Sequence, residues 1–268
     1  MNHMVGIDRK IKRAWMDVVL DQIAQLATEN ELRPFLGQYL QEELPGKESR
    51  AKSIAIILRI WSNIPSDRIA LRERALALFP TISEQERIWL HWGMTALAYP
   101  FFRDTVEIIG RLLALQDDLT TAQVQARIKT NWGDRATTRE AAQKLITTLV
   151  NWDVLRTTKV KGHFLLARKM SASTPGIQLW LMEALLRASK ANEIEAQQLL
   201  KLPESFPFTL NMGMADLRKH PNFNIHRQGL DMDMVALCKI NAILPPKPPK
   251  KSKQKGHKHV QPNLFDNQ

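Results

Sequence analysis

Arg139, Gln143 and Thr147 stand four residues apart, so on a helix they fall along one strip, with Lys144 at its edge. Side chains of these types suit a nucleic-acid groove. Arginine bridges the two acceptors of guanine, and glutamine meets the acceptor and donor of adenine. A second set of cations follows. Lys159 and Lys161 flank a short tip, and Arg156, Arg168 and Lys169 lie on the segments leading into and out of it. Cations on such a projection reach phosphate oxygens, which set affinity and register without reading sequence.

These side chains need elements to hold them. Residues 121–129 read as a short helix, 130–136 as a polar turn, and 138 to about 151 as a second helix. Thr137-Thr138-Arg139-Glu140 has the spacing of a capping box, which sets the start of that helix at Thr137. Ala141, Leu145, Leu149 and Trp152 then share the face opposite Arg139 and can pack against Val124 and Ile128. Residues 154–156 and 163–167 read as two short strands around a basic tip at 157–162. Helix, turn, helix and hairpin in that order is the pattern of a winged helix-turn-helix, whose second helix commonly enters the major groove. Winged helices also serve as protein-interaction modules, so the pattern leaves both uses open.

Charge and composition favour the first use. At 268 residues the chain is long enough for roughly two compact domains, and its 44% apolar and 24% charged residues are ordinary for a globular protein. A formal charge of +11 favours a polyanionic partner. The last 24 residues hold six lysines and one aspartate, about +5, leaving about +6 for the rest. No apolar run approaches the roughly 20 residues that span a bilayer, and the charges at 8–13 interrupt any signal-peptide core. The single cysteine, Cys238, excludes an internal disulfide and fits a reducing cytoplasm.

Ahead of the central unit the chain reads as helices. Residues 7–27 form one, with Ile11, Trp15, Val18 or Val19, and Leu26 near one face. Residues 32–43 form a second, capped by Asn30, with Leu36, Tyr39 and Leu40 inward. After the Pro45-Gly46 turn, 49–61 form a third with Ile54, Ile57, Leu58 and Trp61 inward. Its Arg50 and Lys52 are candidate DNA contacts if this pair is a further helix-turn-helix; an ordinary helical hairpin fits equally well. Residues 66–115 read as three more helices, with a capping box at Ser83-Glu84-Gln85-Glu86 and a break at Tyr99-Pro100. Their aromatic residues, Trp89, Trp92, Phe101 and Phe102 among them, read as core.

Beyond a Ser-Thr-Pro linker at 171–175, residues 176–189 and 193–202 read as helices, the second capped by Asn192. Residues 206–210 are extended, 214–220 a turn of helix, and 223–227 with 232–237 a hairpin around 228–231. Two helices followed by a hairpin resemble a second winged unit, whose Asp231 and Asp233 make it a poorer phosphate contact. Catalytic signals are lacking: there is no Gly-rich phosphate loop, no Gly-x-Ser-x-Gly and no Cys or His cluster at zinc spacing. His220, His226, His257 and His259 read as solvated surface, and Asp231 with Asp233 lacks the third ligand of a nuclease site. No enzymatic activity, metal or cofactor is expected.

Residues 245–268 are rich in Pro and Lys and self-repelling, and they end in Gln261-Pro262-Asn263-Leu264-Phe265 before the last three residues. Gln261, Leu264 and Phe265 match the three defining positions of the bacterial sliding-clamp-binding motif, while Pro262 departs from its usual aliphatic. The resemblance implies docking to the sliding clamp or another partner; a patch that folds back on the protein is the other reading.

The order of motifs resembles one family. Arg50-Ala51-Lys52-Ser53, the block from Leu97-Ala98-Tyr99-Pro100 to Phe101-Phe102-Arg103-Asp104, the Leu119-Thr120 start of a helix and the helix at 145–155 are similar to BrxA-like proteins. These are small helix-turn-helix components of BREX phage-resistance systems, and the resemblance covers roughly residues 30–170. It implies a non-enzymatic DNA-binding accessory of a defence complex, acting with methyltransferase and ATPase partners. The expectation is a mainly α cytoplasmic protein, a helical bundle with winged-helix units and short β-hairpin wings, that binds double-stranded DNA. Its expected divisions are 1–65, 66–170, 171–244 and a basic tail at 245–268. The alternative is a helical adaptor that recruits protein partners.

Overall fold

In the computed structural model, which describes residues 5–25, 28–189, 191–229 and 232–238, helices dominate and strands come in two sets of three. α1 (Arg13–Ala24), α2 (Glu29–Tyr39) and α3 (Lys47–Trp61) lead into α4 (Ile69–Leu78), α5 (Arg87–Ala98) and α6 (Pro100–Leu113). Then come β1 (Asp118–Thr120), α7 (Thr121–Trp132), α8 (Ala136–Asn151), β2 (Leu155–Thr157) and β3 (His163–Leu166). They are followed by α9 (Pro175–Ala188), β4 (Glu193–Glu195), α10 (Ala196–Leu199), α11 (Met214–Lys219), β5 (Phe223–Gln228) and β6 (Met232–Leu237). The fold is thus mainly helical, with short antiparallel strands.

α5 is central because its sequence leaves it no polar face. Every residue from Ile88 to Leu97 is buried, His91 and Thr95 included. α9 crosses it at Gly93, where an added Cβ would lie 2.7 Å from the Trp180 ring. Trp92 packs edge-on to Phe102, Phe206 and Phe208, and its Nε1 donates to the carbonyl of Glu204 at 2.9 Å. The aromatic residues are core, as their helical spacing indicated. α6 meets its neighbour equally closely, since a Cβ on Gly110 would sit 2.1 Å from the carbonyl oxygen of Pro203.

A histidine buried in this way needs both ring nitrogens satisfied. Trp61 Nε1 donates to His91 Nδ1 at 3.2 Å, so the proton resides on Nε2, which donates to Asp17 Oδ1 at 2.9 Å. One side chain of α5 thereby joins α1 and α3. Burial holds the imidazole below its ordinary value of 6.5, outweighing the pull of Asp17 in the other direction.

The two sheets repeat one topology. β1, β3 and β2 lie in that order, antiparallel, with Leu119 opposite Phe164 and Arg156 opposite Leu165. β4, β6 and β5 do the same, with Ile194 opposite Val235 and Ile225 opposite that same valine. In each case a helix precedes the first strand, helices follow it, and a hairpin supplies the other two.

Several local expectations give way to tertiary contacts. α1 starts at Arg13 rather than Ile7, because residues before it are drawn onto α8: Ile11 donates to Thr148 Oγ1 at 3.1 Å and accepts from Trp152 Nε1 at 3.0 Å. α2 starts after Thr28, whose N–H and hydroxyl both meet the Glu31 carboxylate at 2.7 Å, so Asn30 lies within the helix. Tyr39 is exposed instead of inward, stacked on Phe35. Leu26 lies outside the described residues. The stretch expected as a helix at 193–202 opens as β4 and leaves only α10, with no cap from Asn192. Pairing with β6 overrides the local helical propensity. The Ser83–Glu86 capping box and the Tyr99-Pro100 break stand where expected.

Two measurements check this core. Because His91 is held neutral, the stability it contributes is full above about pH 6.5 and declines as the pH falls below it. Thermal melts should show Tm decreasing between pH 7 and 5, and His91→Gln should flatten that slope while lowering stability at pH 8. Gly110→Ala should cost about 1–3 kcal/mol in denaturant unfolding, because the Cβ has no room against the Pro203 carbonyl.

Candidate nucleic-acid interface

The unit that carries the candidate residues is built from its first strand outward. Thr120 ends β1 and caps α7. Its Oγ1 accepts from the Gln123 N–H at 3.1 Å, and Gln123 Oε1 accepts from the Thr120 N–H at 2.8 Å. Val124 and Ile128 of α7 are buried with Ala141, Leu145 and Leu149 of α8 and with Trp152 beyond it, the packing their spacing required. α7 runs on to Trp132, whose Nε1 donates to Asp104 at 2.9 Å, so the turn is confined to 133–135. Gly133 supplies the positive φ of +79° that the turn needs.

The capping box expected at Thr137 does not form. α8 begins at Ala136 behind an extended Arg135, with no side-chain cap. Thr138 is buried, and its Oγ1 has no hydrogen-bond partner among the described residues. The helix start is held by other means. Asp134 Oδ2 lies 2.8 Å from Lys129 Nζ, Asp134 Oδ1 accepts from Arg139 Nη1, and Gln125 Nε2 donates to the Arg139 carbonyl at 3.0 Å. Lys129 chiefly, and Arg139 beside it, hold the Asp134 carboxyl below the usual carboxylate range.

Arg139, Gln143, Lys144 and Thr147 are all exposed, on the side of α8 away from its buried residues. Glu140 is exposed among them, so the face carries an anion that its pattern of cations and amides concealed. The far end of α8 is covered. The Arg13 N–H donates to Asn151 Oδ1 at 3.2 Å, and Ile11 is fastened to Thr148 and Trp152 as described. The open part of the face therefore runs from Arg139 to Thr147.

The hairpin follows α8 through Asp153, whose φ is +59°. Arg168 Nε meets the Asp153 carboxylate at 3.0 Å, which commits that cation to the hairpin base. Tip residues 158–162 are held by their own polar groups. Thr158 donates its N–H to the His163 carbonyl at 3.1 Å, its Oγ1 accepts from the Val160 N–H at 3.1 Å, and the Gly162 carbonyl accepts from the Thr121 N–H at 3.1 Å. The tip is thus fixed against the start of α7, with Lys159, Val160 and Lys161 exposed on it.

The side chains of Lys144, Arg156, Lys159, Lys161 and Lys169 are exposed and make no ion pair or hydrogen bond with any described residue. Charge is concentrated here. Residues 119–169 hold ten Lys and Arg against three Asp and Glu, a net of +7, whereas residues 1–118 and 170–244 together hold 22 against 23. Arg50 and Lys52 do not join this face by any described contact. α3 packs chiefly against α1, α2 and α5, Arg50 Nη1 donates to the Leu44 carbonyl at 2.6 Å, and Lys52 pairs with Glu48 at 2.5 Å. Gln261, Leu264 and Phe265 lie outside the described residues, as do Asp231, His257 and His259. Sequence pattern did not single out Lys129 and Asp134, whose roles depend on the turn that brings them to Arg139.

Among the described residues, no cluster of three His, Cys, Asp or Glu side chains could hold a metal ion, and no helix is long and apolar enough to cross a membrane. Asp233 pairs with Arg218 at 2.8 Å and His226 with Glu193 at 3.2 Å. Comparison with known proteins yields no relative: no family model, curated protein or solved structure matches the chain.

The two candidate caps give a direct contrast. Thr120→Ala removes the bonds that start α7 and should destabilise the protein by about 1 kcal/mol, whereas Thr137→Ala should stay within about 0.5 kcal/mol of wild type in urea unfolding.

Proposed function

We propose that the protein is a non-enzymatic, double-stranded DNA-binding protein whose α6–β1–α7–α8–β2–β3 unit is a winged helix-turn-helix. In this reading α8 is the recognition helix and the hairpin tip the wing. The observation that carries it is the concentration of a +7 charge in residues 119–169, with cations at the edge of α8 and on the wing that no carboxylate of the described chain neutralises. The order of elements and the β1-β3-β2 sheet support it, since they present one helix face and one loop on the same unit. Lys159 and Lys161 supply phosphate contacts, aided by Arg156, Lys169 and Lys144; Arg139, Gln143 and Thr147 face the bases. Arg168 contributes through the hairpin base rather than as a free cation. The order of motifs over roughly residues 30–170, read as resembling BrxA-like proteins, points to an accessory role in a BREX-like phage-defence complex.

A helical adaptor is the second reading, and one observation favours it. The β4–β6–β5 unit repeats the topology without the charge, holding four Lys and Arg against six Asp and Glu over residues 193–237. That unit is suited to a protein partner, and the clamp-like peptide at 261–265 to another.

Duplex affinity measured against salt separates the two. With about six phosphate contacts, binding should weaken by roughly three orders of magnitude between 50 and 200 mM salt. Lys159→Ala with Lys161→Ala should weaken all duplexes alike and lower the log–log salt slope by about two. A flat salt response, or no duplex binding at low salt, sinks the DNA reading.

A further inference from the structure

We infer that Asp134 and Arg139 form one base-reading unit directed at guanine, with Arg139 as the contact and Asp134 as the residue that positions it. The inference rests on the duplex-binding reading above and names what that site recognises. Arg139 lies in the first turn of α8, at the open end of the helix, and its side chain is half exposed. An arginine alone at such a position samples many rotamers and meets phosphates as readily as bases. Here the Nη1 group is held by Asp134 Oδ1, so the side chain is directed before any ligand arrives. With Nη1 occupied, the Nε and Nη2 edge is the part of the fork without a partner among the described residues. Its two roughly parallel N–H groups match the O6 and N7 acceptors of guanine. Adenine presents an amine where guanine has O6, so one of the two donors would face another donor.

Lys129 completes the arrangement. Its Nζ, 2.8 Å from Asp134 Oδ2, occupies the second carboxylate oxygen and offsets a charge that would otherwise repel DNA phosphates. Gln125 fixes the backbone of the same turn through the Arg139 carbonyl. The other charged groups on this face are Lys144 and Glu140, both exposed; a carboxylate beside the arginine is of the type that accepts from the amine of the cytosine paired with a guanine.

The test uses the full chain. Duplexes are selected from a random library with the wild-type protein, and competition then gives the affinity for the selected site and for each G·C to A·T change within it. The wild type should prefer one guanine by roughly tenfold to a hundredfold. Arg139→Lys should abolish that preference. Asp134→Asn should also abolish it, while affinity for random duplex stays constant or rises by a small factor, since an anion has been removed. Unchanged random-duplex affinity also shows that the variant is folded, a result that mere loss of structure would not give. Retention of the guanine preference in Asp134→Asn overturns the inference, and so does wild-type binding without preference for any guanine. In both cases duplex binding itself stands. Absence of wild-type binding to any duplex overturns the DNA reading and the inference with it.

Discussion

A helix buried on every side must dispose of its polar atoms inside the protein, and α5 imposes that constraint on the rest of the chain. Its His91 is satisfied by Trp61 and Asp17, Thr95 by the His91 carbonyl at 2.6 Å, and Trp92 by the Glu204 carbonyl. The bonds of His91 and Trp92 each recruit another segment: α3, α1 and the stretch after α10. The cost of leaving such groups unpaired in an apolar interior makes these contacts obligatory. A second buried polar group extends the arrangement. Glu183 of α9 is fully buried and accepts from Arg74 at 2.6 Å, Arg187 at 3.0 Å and Asn222 at 2.9 Å, which ties α4 and the start of β5 to the same helix.

That framework separates stability from the candidate interface. The apolar side of α8 is consumed by α7 and by the core, and its far end by the strap of residues 11–13. What remains is the outward face of the helix from Arg139 to Thr147 and the hairpin tip. Both are held by short-range polar bonds rather than by burial: Asp134 with its two cations at one, Thr158 and Gly162 at the other. Such contacts position side chains at the surface without removing them from solvent, as a site for a large polyanion requires.

The two sheet units show how little topology says about use. They share a strand order, yet the second pairs Arg218 with Asp233 and His226 with Glu193, whereas the first leaves six cations, Arg127 among them, without partners among the described residues. The distinction lies in surface residues that do not affect pairing of the strands.

The sequence by itself determined the helical class, the apolar faces and the hairpins. These follow from short-range rules: apolar spacing for α8, alternation with a glycine for β5 and β6, and a proline ring for the break between α5 and α6. Its errors fall where a distant partner outweighs a local preference. Residues 193–195 could form a helix until β6 offers them a ladder, and residues 7–12 until α8 takes the polar groups of Ile11. The Thr137 capping signature failed because the N-cap is Arg135, two residues earlier, and Thr138 is turned inward. The same limit applies to the site. Residue types and four-residue spacing brought Arg139, Gln143 and Thr147 to one exposed face. Only the turn at Gly133, and with it the approach of Asp134 and Lys129, decided which way Arg139 is held, because that depends on through-space distance that spacing along the chain does not encode.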